Sequence, residues 1–368
     1  MNAVDNAVPA TRNGEIELLR FCAAVVIYLF HLHYLPHGAF AVVVFFILSG
    51  YFMAKSMRKI QCENVCTSNE SKCSFSSFFM RKIGSFYAEL FLTVCIALPI
   101  HLVACKYFNE YIGVAFHAFA NDLLLLRMSG ITNPNCGVCL PDWYLSSMLI
   151  AICVFYPIIR RKPNTALVTA IAILSLSTLR YLYLKTPADS TDMIKMPFII
   201  PNENFRAIGM MGFGIIVYNL GMKCKGLPYS PTFLHFVRII KFASILACAI
   251  YALTSIQVNE LLICILFGIY LIAIPVLSNA PSNKARPSSH NICNLLGKLS
   301  LTIFLVHLPA IEATRSILER YNLYDNQNYR LILSAVITAI FVLIVTSLKH
   351  PLINKYRDIK QRLAISHT

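Results

Sequence analysis

From Glu15 onward the sequence keeps returning to apolar runs of bilayer length, and this repetition restricts the fold more than any single motif. About 20 consecutive apolar residues cross the hydrocarbon core as a helix, and a backbone in that medium must satisfy its own hydrogen bonds. Such runs lie at Glu15–Tyr34, Ala39–Ala54, Ile83–Ala104, Trp143–Ile159, Thr165–Leu184, Phe205–Met222, Ile239–Ile256, Leu261–Leu277, Leu299–Ile317 and Leu331–Leu348. The expected fold is therefore all-α: a polytopic membrane protein of about ten transmembrane helices with both termini cytoplasmic. Composition agrees, since 57% hydrophobic and 13% charged residues in a 368-residue chain do not describe a soluble domain with one anchor.

One further run, Gly113–Met128, is short and interrupted by His117, Asn121 and Asp122. Counting it as a span would put Arg160, Arg161 and Lys162 outside. Reading it as interfacial or re-entrant keeps that cluster and both termini in the cytoplasm, where Lys and Arg concentrate. The domain reading is then a cytoplasmic tail over 1–14, a transmembrane domain over 15–350 and a basic cytoplasmic tail over 351–368. The net charge of +15 sits in short loops between apolar runs, so membrane orientation explains it better than nucleic acid. Most of the 13 cysteines lie inside apolar runs as small hydrophobes. Cys62, Cys66 and Cys73 are spaced irregularly for zinc, and Cys136/Cys139 reads as an outer disulfide or as free thiols. No metal site is expected.

Ionisable groups inside apolar runs are the candidates for chemistry, because they are costly in lipid unless they face a cavity or a partner. Arg20 and His31 are eleven residues apart in the first run, which places them on one helical stripe roughly 16 Å apart along the axis. A cation at one end and a possible base at the other suit a long anionic ligand whose reactive end reaches into the membrane. Snorkelling of Arg20 and helix packing by His31 are the plainer alternative. Ser49 and Gly50, near mid-membrane in the second run, allow close approach of a helix or a ligand. Arg81 and Lys82 stand where the third run begins, placed to meet a phosphate near Arg20. Trp143 and Arg206 lie at the outer boundary, Trp143 as an interfacial anchor or a platform for a sugar ring. His307, halfway along the ninth run, needs a polar partner or a wet cavity.

Taken in order, these residues resemble the membrane-bound acyltransferase family 3, the bacterial surface O-acetyltransferase type. The resemblance rests on Glu15-Ile16-Glu17, the Arg20/His31 pair, Phe45-Phe46-Ile47-Leu48-Ser49-Gly50-Tyr51, Phe79-Met80-Arg81-Lys82, Trp143-Tyr144-Leu145-Ser146 and Ser300 through His307. It implies transfer of an acyl group, usually acetyl, from cytoplasmic acyl-CoA to a hydroxyl of a glycan or other envelope molecule. The expected setting is the inner membrane. The family role of the Arg/His pair falls on Arg20 and His31, and that of the CoA-phosphate site on Arg81 and Lys82. Acetyl-CoA would be a co-substrate, with no metal. This chain departs from many relatives in having Val43 where a carboxylate precedes the Phe-Phe, and Met148 where one follows the Trp. Any partner of His31 must therefore come from elsewhere. The competing reading is a proton-coupled transporter or flippase of a glycan or lipid precursor, for which internal repeats are expected and none is visible.

Overall fold

A computed structural model describes residues 13–66, 74–107, 112–160, 164–185, 200–278 and 287–365. The side chains of Cys62, Cys66 and Cys73, and residues 161–162 of the basic cluster, lie outside the described residues, as does most of the N-terminal tail.

The described residues form twelve helices and no strand. In order they are α1 Gly14–His31, α2 Phe40–Cys66, α3 Phe75–Gly84, α4 Tyr87–Tyr107, α5 Ile112–Leu123 and α6 Asp142–Ile159. They continue with α7 Thr165–Lys185, α8 Asn202–Lys225, α9 Pro231–Leu253, α10 Glu260–Leu277, α11 Pro287–Arg320 and α12 Gln327–Ile365. Nine of these are long and apolar enough to cross a bilayer. The 18-residue α1 adds a tenth expected crossing, although Glu15, Glu17 and Arg20 give it three charges within a single bilayer-length stretch.

Capping chemistry sets several boundaries. The Asn13 side chain accepts the Glu15 N–H at 3.0 Å, and Glu15 and Glu17 complement the positive end of the α1 dipole. α1 stops where His33 takes φ of 65° and the Tyr34 N–H bonds the Leu29 carbonyl at 3.0 Å. The chain then turns through Gly38, where a Cβ would overlap the Phe30 side chain. Only glycine lets α2 fold back this closely on α1.

Several boundaries differ from the sequence expectation. α2 continues past Ala54 to Cys66, carrying Lys55, Arg58 and Lys59 on a helix rather than a loop. The third run is broken, with α3 ending at Gly84 and α4 starting at Tyr87. Phe75 and Phe78 of α3 lie 5.2 and 5.3 Å from the Tyr156 ring, so α3 is fastened across α6 instead of extending α4. α5 has 12 residues, a length of about 18 Å, which is short of the hydrocarbon thickness and in line with its reading as a segment that does not span. α12 runs through Pro351 to Ile365, so most of the expected basic tail continues that helix.

α2 is the axis of the molecule. In its most apolar stretch 72% of residues are buried by protein, against 17% in α12, whose flank is left to lipid. α2 crosses α8 with the two backbones touching. A Cβ on Gly50 would overlap the Met211 carbonyl, and one on Gly214 would overlap the Ile47 carbonyl. Lipid supplies no hydrophobic drive for pairing such helices, so close van der Waals contact between small residues does it. α6 packs against the same α2 and α8, and α1 and α11 pack together beside them. α1, α2, α6, α8 and α11 enclose most of the polar groups, α3, α4 and α12 add Lys82, Glu89 and Lys349, and α7 and α9 form the periphery.

Candidate active site

Two cavities enter this helical core from opposite ends. The first, of about 530 Å³, lies between the start of α1, the middle of α2, the start of α4 and the middle of α12. It is lined by six cations, Arg20, Lys55, Lys59, Lys82, Lys298 and Lys349, against two carboxylates, Glu17 and Glu89. Glu17 accepts from Arg20 at 3.2 Å, and its carboxylate rests on Gly297, where any Cβ would collide with it. Lys349 bonds the buried Glu89, which also accepts from Thr302 Oγ1 at 3.3 Å. Burial, then the nearby Arg20 charge, pushes the Lys82 ammonium down to about 8. Ser49 lines this cavity and shares its hydroxyl with Tyr144 Oη at 2.8 Å.

The second cavity, of about 470 Å³, opens from the other end and is lined by His31, His307, Trp143, Arg127, Asn135, Glu203 and Arg206 among others. The His31 and His307 rings lie 5.2 Å apart. His307 Nδ1 is 2.6 Å from the Phe304 carbonyl. A carbonyl can only accept, so the ring proton is on Nδ1 and Nε2 carries the lone pair. That Nε2 is buried and meets no hydrogen-bond partner among the described residues. Glu203 and Arg206 pair at 2.8 Å one turn apart at the start of α8.

A buried ionic knot holds the outer wall. Arg127 donates from Nη1 to Asp142 Oδ1 at 3.0 Å and from Nε to the Pro134 carbonyl at 2.7 Å. Asp122 Oδ1 is 3.9 Å from Arg127 Nη1, while its Oδ2 accepts from the Val138 and Cys139 N–H groups at 2.8 and 2.7 Å. Ser146 accepts the Met128 N–H at 3.1 Å and donates to the Leu125 carbonyl at 2.8 Å. The connection from α5 to α6 is thus fixed at the points where it meets the second cavity. Neither Cys136 nor Cys139 is in a disulfide, and the described residues contain no cluster of metal-binding side chains.

The candidate residues therefore divide by place. Arg20, Ser49 and Lys82 line the first cavity, and His31, Trp143, Arg206 and His307 line the second. Arg81 is exposed and Gly50 sits against α8, so neither lines a cavity. Sequence reasoning gave no site role to Arg127, Asp122, Asp142, Glu203 or Phe304, and took Tyr144 only with Trp143 in a motif. The signal available for three of them was a buried-charge argument, since Asp122, Arg127 and Asp142 all border apolar runs.

A family model described as an acyltransferase domain, that of the acyltransferase 3 family, matches residues 13–349, nearly the whole chain. No curated protein and no solved structure matches the chain. The match covers the residues that line both cavities, and the chain belongs to the acyltransferase 3 family as a multi-pass membrane acyltransferase.

Proposed function

We propose that the protein moves an acetyl or other short acyl group from acyl-CoA, bound from the cytoplasmic face, to a hydroxyl of an envelope or exported glycan held on the opposite side. One observation carries this reading: the single stripe of α1 offers Arg20 to the basic cavity and His31 to the opposite one. A ligand with several phosphates at one end and a reactive thioester at the end of a long arm matches that separation. An excess of cations in the first cavity favours the polyanionic end there. Lys82 and Arg20 take the phosphates, and Ser49 lies along the arm.

In the second cavity His31 is the general base. The acceptor hydroxyl oxygen attacks the thioester carbonyl carbon, the C–O bond forms and the C–S bond breaks. His31 takes the hydroxyl proton and returns it to the departing CoA thiolate. His307 is a positioning residue: its ring packs 5.2 Å from that of His31, and its Nε2 lone pair is available to accept from the imidazolium once His31 is protonated. It supplies the role that carboxylates would have played at positions 43 and 148. Trp143 offers an aromatic face to a sugar ring. Asn135, Glu203 and Arg206 offer paired donors and acceptors without a large excess of either charge, which favours an uncharged polyhydroxyl acceptor.

The test is alkali-labile acetate on envelope glycans from cells carrying the wild type, His31→Ala or an empty vector at matched protein levels. Acetate is expected with the wild type alone. Equal acetate from His31→Ala would remove His31 from the chemistry, and no acetate from any strain would favour the transporter reading.

A further inference from the structure

Phe304 is the one described residue that lines both cavities. Its ring is 3% exposed and lies 5.5 Å from Phe45, 5.4 Å from Tyr144 and 5.9 Å from His307. Tyr144 is held in place, because its hydroxyl bonds Ser49 Oγ at 2.8 Å and the Phe45 carbonyl at 3.2 Å. Phe304 is itself tied to the histidine pair, since its carbonyl takes the His307 Nδ1 proton. Three packed rings thus close the axis between the basic vestibule and the histidines. Phe45 and Tyr144 face the vestibule, and Phe304 faces both spaces.

We infer that Phe304 is the donor sieve: the acyl end of the donor slides past its ring to reach His31, and the ring sets the largest acyl group that passes. This rests on the acyl-CoA reading above. Transfer needs the thioester beside His31 while the phosphates stay among the vestibule cations, and Phe304 is the described residue common to both spaces. The ring swings about its own side-chain bonds, but its travel is bounded by Phe45 and by a hydrogen-bonded Tyr144. A two-carbon acyl group needs little travel. Each added methylene needs more, and the neighbours resist, because a packed interior has no spare volume. The same rings keep water and ions from crossing the molecule, so shortening Phe304 to a methyl group joins the two cavities into one passage.

The experiment uses the full chain with Phe304→Ala, Phe304→Leu and Phe304→Trp beside the wild type. CoA thiol release is read with acetyl-CoA and with hexanoyl-CoA in inverted vesicles that retain the native acceptor. Proton leak is read in proteoliposomes of the purified proteins. The wild type is expected to prefer acetyl-CoA by at least about tenfold, the scale at which pocket size discriminates. Phe304→Ala should bring the two donors within about twofold, with Phe304→Leu between. Phe304→Trp should slow acetyl-CoA as well, and the Ala variant should leak protons where the wild type is sealed. Loss of both donor activities in equal proportion, with the wild-type preference kept, would overturn the sieve, because a merely structural role moves the two together. The graded Leu and Trp variants give that comparison if Phe304→Ala does not fold. A leak in Phe304→Ala with no thiol release by any protein, wild type included, would overturn the sieve together with the acyl-CoA reading, while the aromatic barrier would stand.

Discussion

At Lys82 a single ammonium links the fold to the proposed donor site. Its half-buried place beside Arg20 lowers it to about 8, so the charge that a phosphate needs is present below that value and is lost as pH rises through it. If the protonated amine alone binds, KM for acetyl-CoA rises about tenfold per pH unit above 8, with little change below it. Lys82→Arg should flatten the rise, since a guanidinium stays charged throughout. Initial rates across this range check both statements, and a KM independent of pH in the wild type would remove Lys82 from the donor site. At His307 the expectation differs in kind. Removing a positioning group from His31 should lower kcat by about 10²-fold, the smaller end of general-base effects, and leave the donor KM near its wild-type value. Steady-state kinetics of His307→Ala separates the two parameters, and an effect on KM alone would place His307 in binding. Arg20, His31 and His307 were legible in the sequence because each is an ionisable side chain inside an apolar run. Arg81 and Lys82 were not separable there. Neighbours on a helix point about 100° apart, and the packing of α3 across α6 turns Lys82 into the cavity and leaves Arg81 exposed.

At the scale of elements, the connection between α5 and α6 is held less by helix packing than by one guanidinium. Arg127 is 2% exposed and its two carboxylate neighbours are fully buried. Replacing it by Leu strands Asp122 and Asp142 without a cation, a change that costs about 3–5 kcal/mol in buried pairs. Thermal unfolding in detergent should therefore show Arg127→Leu well below the wild type. Asp142→Asn, which keeps a hydrogen-bond acceptor for Arg127, should lie between them. Coincident melting of Arg127→Leu and wild type would mean that the knot contributes no stability. The sequence hid this knot for a physical reason. Its partners stand 5 and 15 positions from Arg127 on either side of a turn, and no helical period links them. The spans themselves were legible because lipid forces each apolar run into a helix. Their ends were not, since the break before α4 depends on Phe75 and Phe78 packing against Tyr156 of a helix far along the chain.

For the whole molecule, the two cavities differ in charge as they differ in place. One carries six cations against two carboxylates, while in the other Arg206 is paired with Glu203 and Arg127 with Asp142. Positive charge favours the cytoplasmic side of a membrane, and a phosphorylated donor made in the cytoplasm would meet the basic cavity first. The proposed orientation follows: the α8–α9 turn at Leu227 is cytoplasmic, and the α11–α12 turn at Asp325 is on the far side. Both residues are exposed, so a cysteine introduced at either is open to a reagent on its own face. The chain has 13 native cysteines, so the labelling belongs in a background where these are replaced. In intact cells a membrane-impermeant maleimide should label Asp325→Cys and not Leu227→Cys, and permeabilisation should expose the second. The opposite pattern would turn the basic cavity outward, away from any cytoplasmic thioester, and the acyl-CoA reading would fall with it.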